Sequence, residues 1–167
     1  RSLARGFVML DQAQVTHRLQ IAQKIPFLKD LSAAQVNRVI KSGKIESVDA
    51  GKELCKAGDH SNAMWILLAG KLSIRDGETV LATLEAVDLA GEMGLVTGLP
   101  RSATIQVSTN VVLIEIQKLR LDALLKDDID LERKLYRNML QSLCGKLRQN
   151  NAQMTQEGTT LEREIAA

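Results

Sequence analysis

The feature that most constrains the fold is a series of short β-prone segments between Lys44 and Ile116. The predicted strands are 45–48, 53–56, 64–68, 72–75, 80–84, 104–108 and 111–116. Turn-forming sequences such as Ala57-Gly58-Asp59 and Asp76-Gly77 separate them. Many short strands at regular spacing are typical of antiparallel sandwiches and barrels, and a jelly roll is one way to close the sheet edges.

Helical patterns precede this region. Residues 1–24 place apolar side chains close to a helical period, which predicts a helix packed on the outside of the core. Ser32 is a good N-cap for a second helix that runs through Lys41 and ends at Gly43.

Helical patterns also follow the strands, with a short helix predicted over 119–125 and a long one from Ile129. Along the long helix the seam positions are Tyr136, Leu140, Leu143, Leu147, Asn150, Met154 and Leu161. Their alternating steps of four and three through Met154 are a coiled-coil spacing. Residues 129–143 could fold back on the core. Beyond Leu147 we favour a parallel homodimer over a connector to a further domain.

The chain therefore divides into an N-terminal helical segment (1–43), a strand-rich part (44–117) and C-terminal helices (118–167). It begins at Arg1 without a methionine, which leaves open that it is part of a longer protein with an attached effector domain.

The composition and residue types of the chain argue against several classes of function. The chain carries 22 basic and 20 acidic residues, so its net charge of +2 gives no reason to expect binding to nucleic acid or insertion into a membrane. Cys55 and Cys144 lie far apart and are typical of a reducing compartment, which favours a cytoplasmic location. The sequence has no catalytic Ser/His/Asp or Cys/His set, no metal-ligand cluster and no P-loop. We expect no enzymatic activity and no cofactor.

Residues 87–105 contain the strongest candidates for a ligand-binding site. Gly91 allows a sharp turn and a close approach to a ligand, and a helical turn from Glu92 would direct free N–H groups at an anion. Arg101 offers a planar fork of donors for a phosphate, with the Ser102 hydroxyl and the small Ala103 beside it. If the Gly-Glu step or the arginine with its small neighbours occurred alone, an ordinary loop with a solvent-exposed arginine would explain it.

These residues resemble the phosphate-binding cassette of the cyclic nucleotide-binding domain family, in which Gly-Glu and a few apolar residues precede Arg and small residues. The resemblance implies that Glu92 holds the ribose 2′-OH and that Arg101, Ser102 and Ala103 hold the cyclic phosphate. The remaining residues that it assigns to ligand binding are Gly91 and Met93 in the cassette, and Ser142, Gly145 and Lys146 as a lid over the base. The chain departs from the family pattern at Val87, where the family has glycine, at Ala90, where it has an aromatic residue, and at Gly94, where alanine is more usual.

The resemblance covers roughly residues 25–150 and implies an α+β fold. This fold is a β-roll, or jelly-roll barrel, of about eight antiparallel strands with N-terminal helices and a long C-terminal helix. The implied function is a sensor of a cyclic mononucleotide, with cAMP favoured, that signals through its C-terminal helix to an effector. The Ser102 hydroxyl could reach a guanine amino group, so cGMP stays open. The alternative is a dimerisation module of the same fold without a ligand. We further expect Arg101 to be an exposed pocket residue whose replacement leaves the fold intact.

Overall fold

The computed structural model describes residues 24–165, and the side chains of 24–152, 154 and 155. The helix expected over 1–24 therefore lies almost wholly outside the described residues. A 3₁₀ turn, Pro26–Leu28, leads into α1, Ala33–Ser42. Ser32 caps α1 as predicted, because its side chain accepts from the Gln35 N–H while the Gln35 side chain accepts from the Ser32 N–H.

In the described part of the chain, eight strands form two antiparallel four-stranded sheets. The first sheet has the order β1-β8-β3-β6 and the second the order β2-β7-β4-β5. The strands are β1 Lys44–Val48, β2 Glu53–Cys55, β3 Ala63–Ala69, β4 Leu72–Asp76, β5 Thr79–Leu84, β6 Leu89–Ala90, β7 Thr104–Val107 and β8 Val111–Gln117. The predicted α+β roll is confirmed. The sequence missed only β6, because two residues are too few to show an alternating pattern.

The helices are α1, α2 (Glu92–Thr97), α3 (Lys118–Lys126) and the long α4 (Ile129–Ile165). One apolar core lies between the two sheets, and a second lies between the outer face of the first sheet and the helices. In the chain, α2 follows β6 of the first sheet and precedes β7 of the second. The cassette therefore connects the two sheets.

Gly43 ends α1 as predicted, but not by adopting a left-handed conformation, since its φ is −97°. A Cβ at this position would lie 2.4 Å from Ile114 Cγ2 and 2.9 Å from the Glu115 carbonyl oxygen. Glycine is therefore needed for the close approach of the chain to β8.

The long helix α4 is fixed to the core at its start. Asp128 accepts from the Leu131 N–H at 2.9 Å, and Leu131, Leu135 and Met139 are buried at the helical spacing of one face. The predicted seam lies elsewhere on the helix, and its members Leu140, Leu147 and Met154 are exposed. Within the described residues, no helix combines the length and hydropathy that a membrane span requires.

Candidate functional site

The cassette backbone turns sharply at Gly91. This residue is the N-cap of α2 and has a left-handed φ of 80°. A Cβ here would lie 2.6 Å from Arg101 Nη1 and 3.0 Å from Trp65 Cζ3. Both the conformation and the lack of space require glycine, so the prediction of a close approach at this position has a structural basis.

Arg101 fills the space in front of Gly91 and is only 6% exposed. Its Nη1 donates to the Gly91 carbonyl at 2.9 Å, its Nη2 donates to the Ala63 carbonyl, and its Cζ lies 4.8 Å from the centroid of the Trp65 ring. The expectation of an exposed arginine was wrong, because these contacts are long-range and leave no local trace in the sequence. Replacement of Arg101 is therefore expected to lower the stability of the fold.

The guanidinium of Arg101 is a buried cation without a counter-ion among the described residues. Its Nε is buried and has no hydrogen-bond partner, and no described carboxylate forms an ion pair with the side chain. A buried charge is costly unless an opposite charge accompanies it. Among the described residues this requirement is unmet.

Glu92 is the first residue of α2 and is only 3% exposed. Its Oε1 accepts from Lys146 Nζ at 2.8 Å, and the same ammonium donates to the Leu89 carbonyl at 3.0 Å. No described residue hydrogen-bonds the second oxygen, Oε2. The carboxylate thus has one oxygen fixed by α4 and one oxygen available as an acceptor.

The other predicted site residues occupy different environments. Met93 and Ser102 are exposed, and Ala103 is buried. Of the three positions assigned to a lid, Lys146 is the one for which the described residues show a hydrogen bond to the cassette. Ser142 is half-buried, and Gly145 lines a groove on the exposed side of α4. A role of these three residues at the base stays a prediction.

The structure explains two of the three departures from the family pattern, at Ala90 and Gly94, and shows strain at the third, Val87. Val87 adopts a φ of 73°, which is the left-handed conformation that glycine takes at little cost and a β-branched residue takes with strain. Ala90 is buried and pairs in register with Trp65, whose large ring belongs to the same core and supplies an aromatic group from the neighbouring strand. A Cβ at Gly94 would lie 1.9 Å from Ser61 Oγ, so alanine does not fit.

A cleft of about 710 Å³ also opens beside Arg101 and Trp65. Its walls carry Asp59, Glu115 and Asp122, and Trp65 Nε1 donates to Glu115 Oε2 at 3.1 Å. These carboxylates would repel a phosphate in this cleft.

Cys55, which also lines the cleft, is a poor nucleophile because burial raises the pKa of its thiol. The described residues contain no group of His, Cys, Asp and Glu side chains that could hold a metal ion.

Sequence reasoning missed Trp65 and the contact of Lys146 with Glu92. Trp65 is the only tryptophan of the chain and lies in a predicted strand. Because residues 63–67 of that strand are buried on both faces, no alternating pattern shows which way the ring points. The contact between Lys146 and Glu92 joins residues 54 positions apart, and nothing near either residue indicates it.

Comparison with known proteins agrees with this geometry. The profile of the family described as "Cyclic nucleotide-binding domain" matches residues 45–128. A cyclic nucleotide-gated potassium channel of Mesorhizobium japonicum is 28% identical over 120 residues, which are 68% of this chain and 32% of the channel. The chain thus spans about a third of the length of this curated relative.

Two solved structures share the fold. A cyclic nucleotide-binding domain from Methylobacillus flagellatus KT has a TM-score of 0.74 at 22% identity, over 83% of this chain and 81% of that chain. The regulatory domain of Toxoplasma gondii PKA with cAMP has a TM-score of 0.64 at 26% identity, over 80% of this chain and 52% of that chain. The family profile covers half of the sequence and the roll and cassette agree with it, so the chain belongs to the cyclic nucleotide-binding domain family.

Proposed function

We propose that the chain is a regulatory module that binds a cyclic mononucleotide, with cAMP as the first candidate. The observation that carries the proposal is the buried guanidinium of Arg101, which has no counter-ion among the described residues. A phosphodiester supplies the missing negative charge. Its exocyclic oxygens can accept from the unpartnered Nε and from the Nη N–H groups that the Gly91 and Ala63 carbonyls do not occupy, and charge-assisted hydrogen bonds of this kind are the strong ones.

The residues around Arg101 suit the rest of such a ligand. Glu92 presents Oε2 as a free acceptor for a ribose hydroxyl, which a carboxylate in a nucleotide site commonly binds. Ser102 and Ala103 follow Arg101 directly and are proposed to contact the phosphate with it. Gly91 and Met93 complete the ligand site of the cassette.

The choice of cAMP is supported by the related PKA regulatory domain, whose structure contains cAMP. cGMP is the alternative, because the exposed Ser102 hydroxyl could reach a guanine amino group. Titrations with both nucleotides separate the two.

The proposed output passes through α4. This helix contacts the cassette through Lys146 and the 3₁₀ turn through Asn138, so a ligand that binds the cassette can bias the position of the helix. The matched channel is about three times as long as the region it shares with this chain, which supports an effector domain covalently attached to the sensor. The module itself is proposed to be cytoplasmic and to have no catalytic activity.

A homodimer through α4 is part of the proposal. Leu140, Leu147 and Met154 are exposed along the predicted seam, and their burial against a second copy would remove apolar surface from water. Sedimentation should show a dimer for the wild type and a monomer for Leu147→Glu. Gln149→Glu, an exposed position off the seam, is the matched control and should stay dimeric. A monomeric wild type would contradict the proposed homodimer.

Two observations favour a second function. Lys146 already neutralises Glu92, and the conformation at Val87 is strained, as would be found in a roll that serves only as a dimerisation module. Such a module would fold normally and would not respond to nucleotide.

The test is calorimetric titration of wild type, Arg101→Lys and Arg120→Lys with cAMP and cGMP. Arg120 is exposed on α3 and serves as the matched control. Arg101→Lys keeps a positive charge but loses the fork, so we expect at least a tenfold loss of affinity, on the order of 1.4 kcal/mol or more. Because Arg101 is buried, circular dichroism must show that the variant is folded. Unchanged affinity in a folded Arg101→Lys protein would refute the proposal.

A further inference from the structure

Lys146 reaches the cassette from a distant part of the chain. Its ammonium lies 2.8 Å from Glu92 Oε1 and 3.0 Å from the Leu89 carbonyl oxygen, so it bridges the end of β6 and the start of α2. The carboxylate of Glu92 is almost fully buried, whereas Lys146 is partly exposed. Lys146 is the only described cation that forms an ion pair with Glu92.

This arrangement has a direct electrostatic consequence. A buried carboxylate without a partner is strongly unfavourable in its ionised form, and an ionised oxygen is the better acceptor for a hydroxyl group. Lys146 supplies the compensating charge while it occupies only Oε1, so that Oε2 stays available. The second contact, with the Leu89 carbonyl, fixes the ammonium and with it the orientation of the carboxylate.

We propose, on the basis of the nucleotide-binding function above, that Lys146 is a positioning residue for ribose recognition. It acts through Glu92 and does not itself read the base. The ribose subsite is then built from two distant parts of the chain, the cassette and α4. Docking of α4 and recognition of the 2′-hydroxyl therefore depend on each other.

The ligand offers a sharp test, because 2′-deoxy-cAMP lacks the group on which Lys146 is proposed to act. Wild type, Lys146→Met, Lys146→Arg and the control Arg148→Met are titrated with cAMP and with 2′-deoxy-cAMP. Arg148 is an exposed cation two residues further along α4, so its variant controls for the loss of one charge near an anionic ligand.

We expect Lys146→Met to weaken cAMP binding about tenfold or more, the scale of a hydrogen bond to a charged group. Binding of 2′-deoxy-cAMP should change by less than about twofold. Lys146→Arg should restore most of the affinity for cAMP, and Arg148→Met should leave both ligands unaffected.

Two results for Lys146→Met would overturn the inference but not the proposed function. Equal weakening of both ligands would show that Lys146 only covers the pocket. Tighter binding of cAMP would show that Lys146 competes with the ribose for Glu92. A wild type that binds neither ligand would overturn the proposed function and this inference with it.

Discussion

Gly94 in α2 offers the most quantitative test of the cassette packing. The Cβ of Gly94→Ala would lie 1.9 Å from Ser61 Oγ, 2.3 Å from Ser61 Cβ and 3.2 Å from the Leu99 carbonyl oxygen. A new rotamer of Ser61 moves its Oγ but not its Cβ. The clash can therefore be relieved only if α2 or the loop before β3 shifts.

Two opposing terms set the size of the effect. Alanine in place of glycine within a helix stabilises by up to about 1 kcal/mol. Extra atoms in a tightly packed site cost about 1–3 kcal/mol. We therefore expect Gly94→Ala to lower the free energy of unfolding by about 1 kcal/mol. In the Ser61→Gly background the clash with Ser61 is absent and only the 3.2 Å approach to the Leu99 carbonyl oxygen remains, so the same change should be close to neutral or stabilising.

The assay is a double-mutant cycle measured by urea unfolding of wild type, Gly94→Ala, Ser61→Gly and the double variant. We expect a coupling energy of about 1–3 kcal/mol between the two positions. Gly145→Ala is the matched control, because it is also a helical glycine but no atom lies within 4 Å of the added Cβ. It should be neutral or stabilising. Equal destabilisation by Gly94→Ala in both Ser61 backgrounds would refute the contact.

Two further predictions concern α4. Asn138 is 2% exposed and donates to two backbone carbonyls, at 2.7 Å and 2.9 Å, so Asn138→Ala should lower the free energy of unfolding by about 1–3 kcal/mol. The exposed Asn151→Ala should change it little, and equal unfolding midpoints for the two variants would contradict the contact. The hydrogen bond from Lys134 is the largest cause that lowers the pKa of Asp130 to about 2, with Gln35 contributing as well. Because this pKa is lowered on folding, the stabilisation is present above about pH 4 and is lost as the pH falls through about 2. The difference in melting temperature between wild type and Asp130→Asn should therefore shrink over that range, and a difference that grows on acidification would contradict the assignment.

The parts of the fold that the sequence predicted are those with local signals. The strands are short β-prone segments, the turns contain glycine or asparagine, and Ser32 with Gln35 forms a capping box within four residues. Gly91, Glu92 and Arg101 likewise belong to one motif within a short stretch of the chain. Each of these features depends on residues close together in the chain.

The parts that the sequence did not predict depend on distant residues. The burial of Arg101 results from the Trp65 ring and the Ala63 carbonyl, which β3 brings to the cassette. The contact of Lys146 with Glu92 depends on how α4 crosses the roll, which no local pattern determines. Val87 shows the converse case, since its left-handed conformation is imposed by the surrounding backbone against the preference of a β-branched residue.

The most direct test of the central claim is calorimetric titration of the wild-type chain with cAMP and, separately, with cGMP. The protein should first be unfolded and refolded to remove any nucleotide carried over from expression. We predict saturable binding of at least one of the two nucleotides, at one ligand per chain, with a rise in melting temperature. The absence of both heat and thermal shift with either nucleotide, in a protein shown to be folded, would contradict the account and would favour the ligand-free dimerisation module.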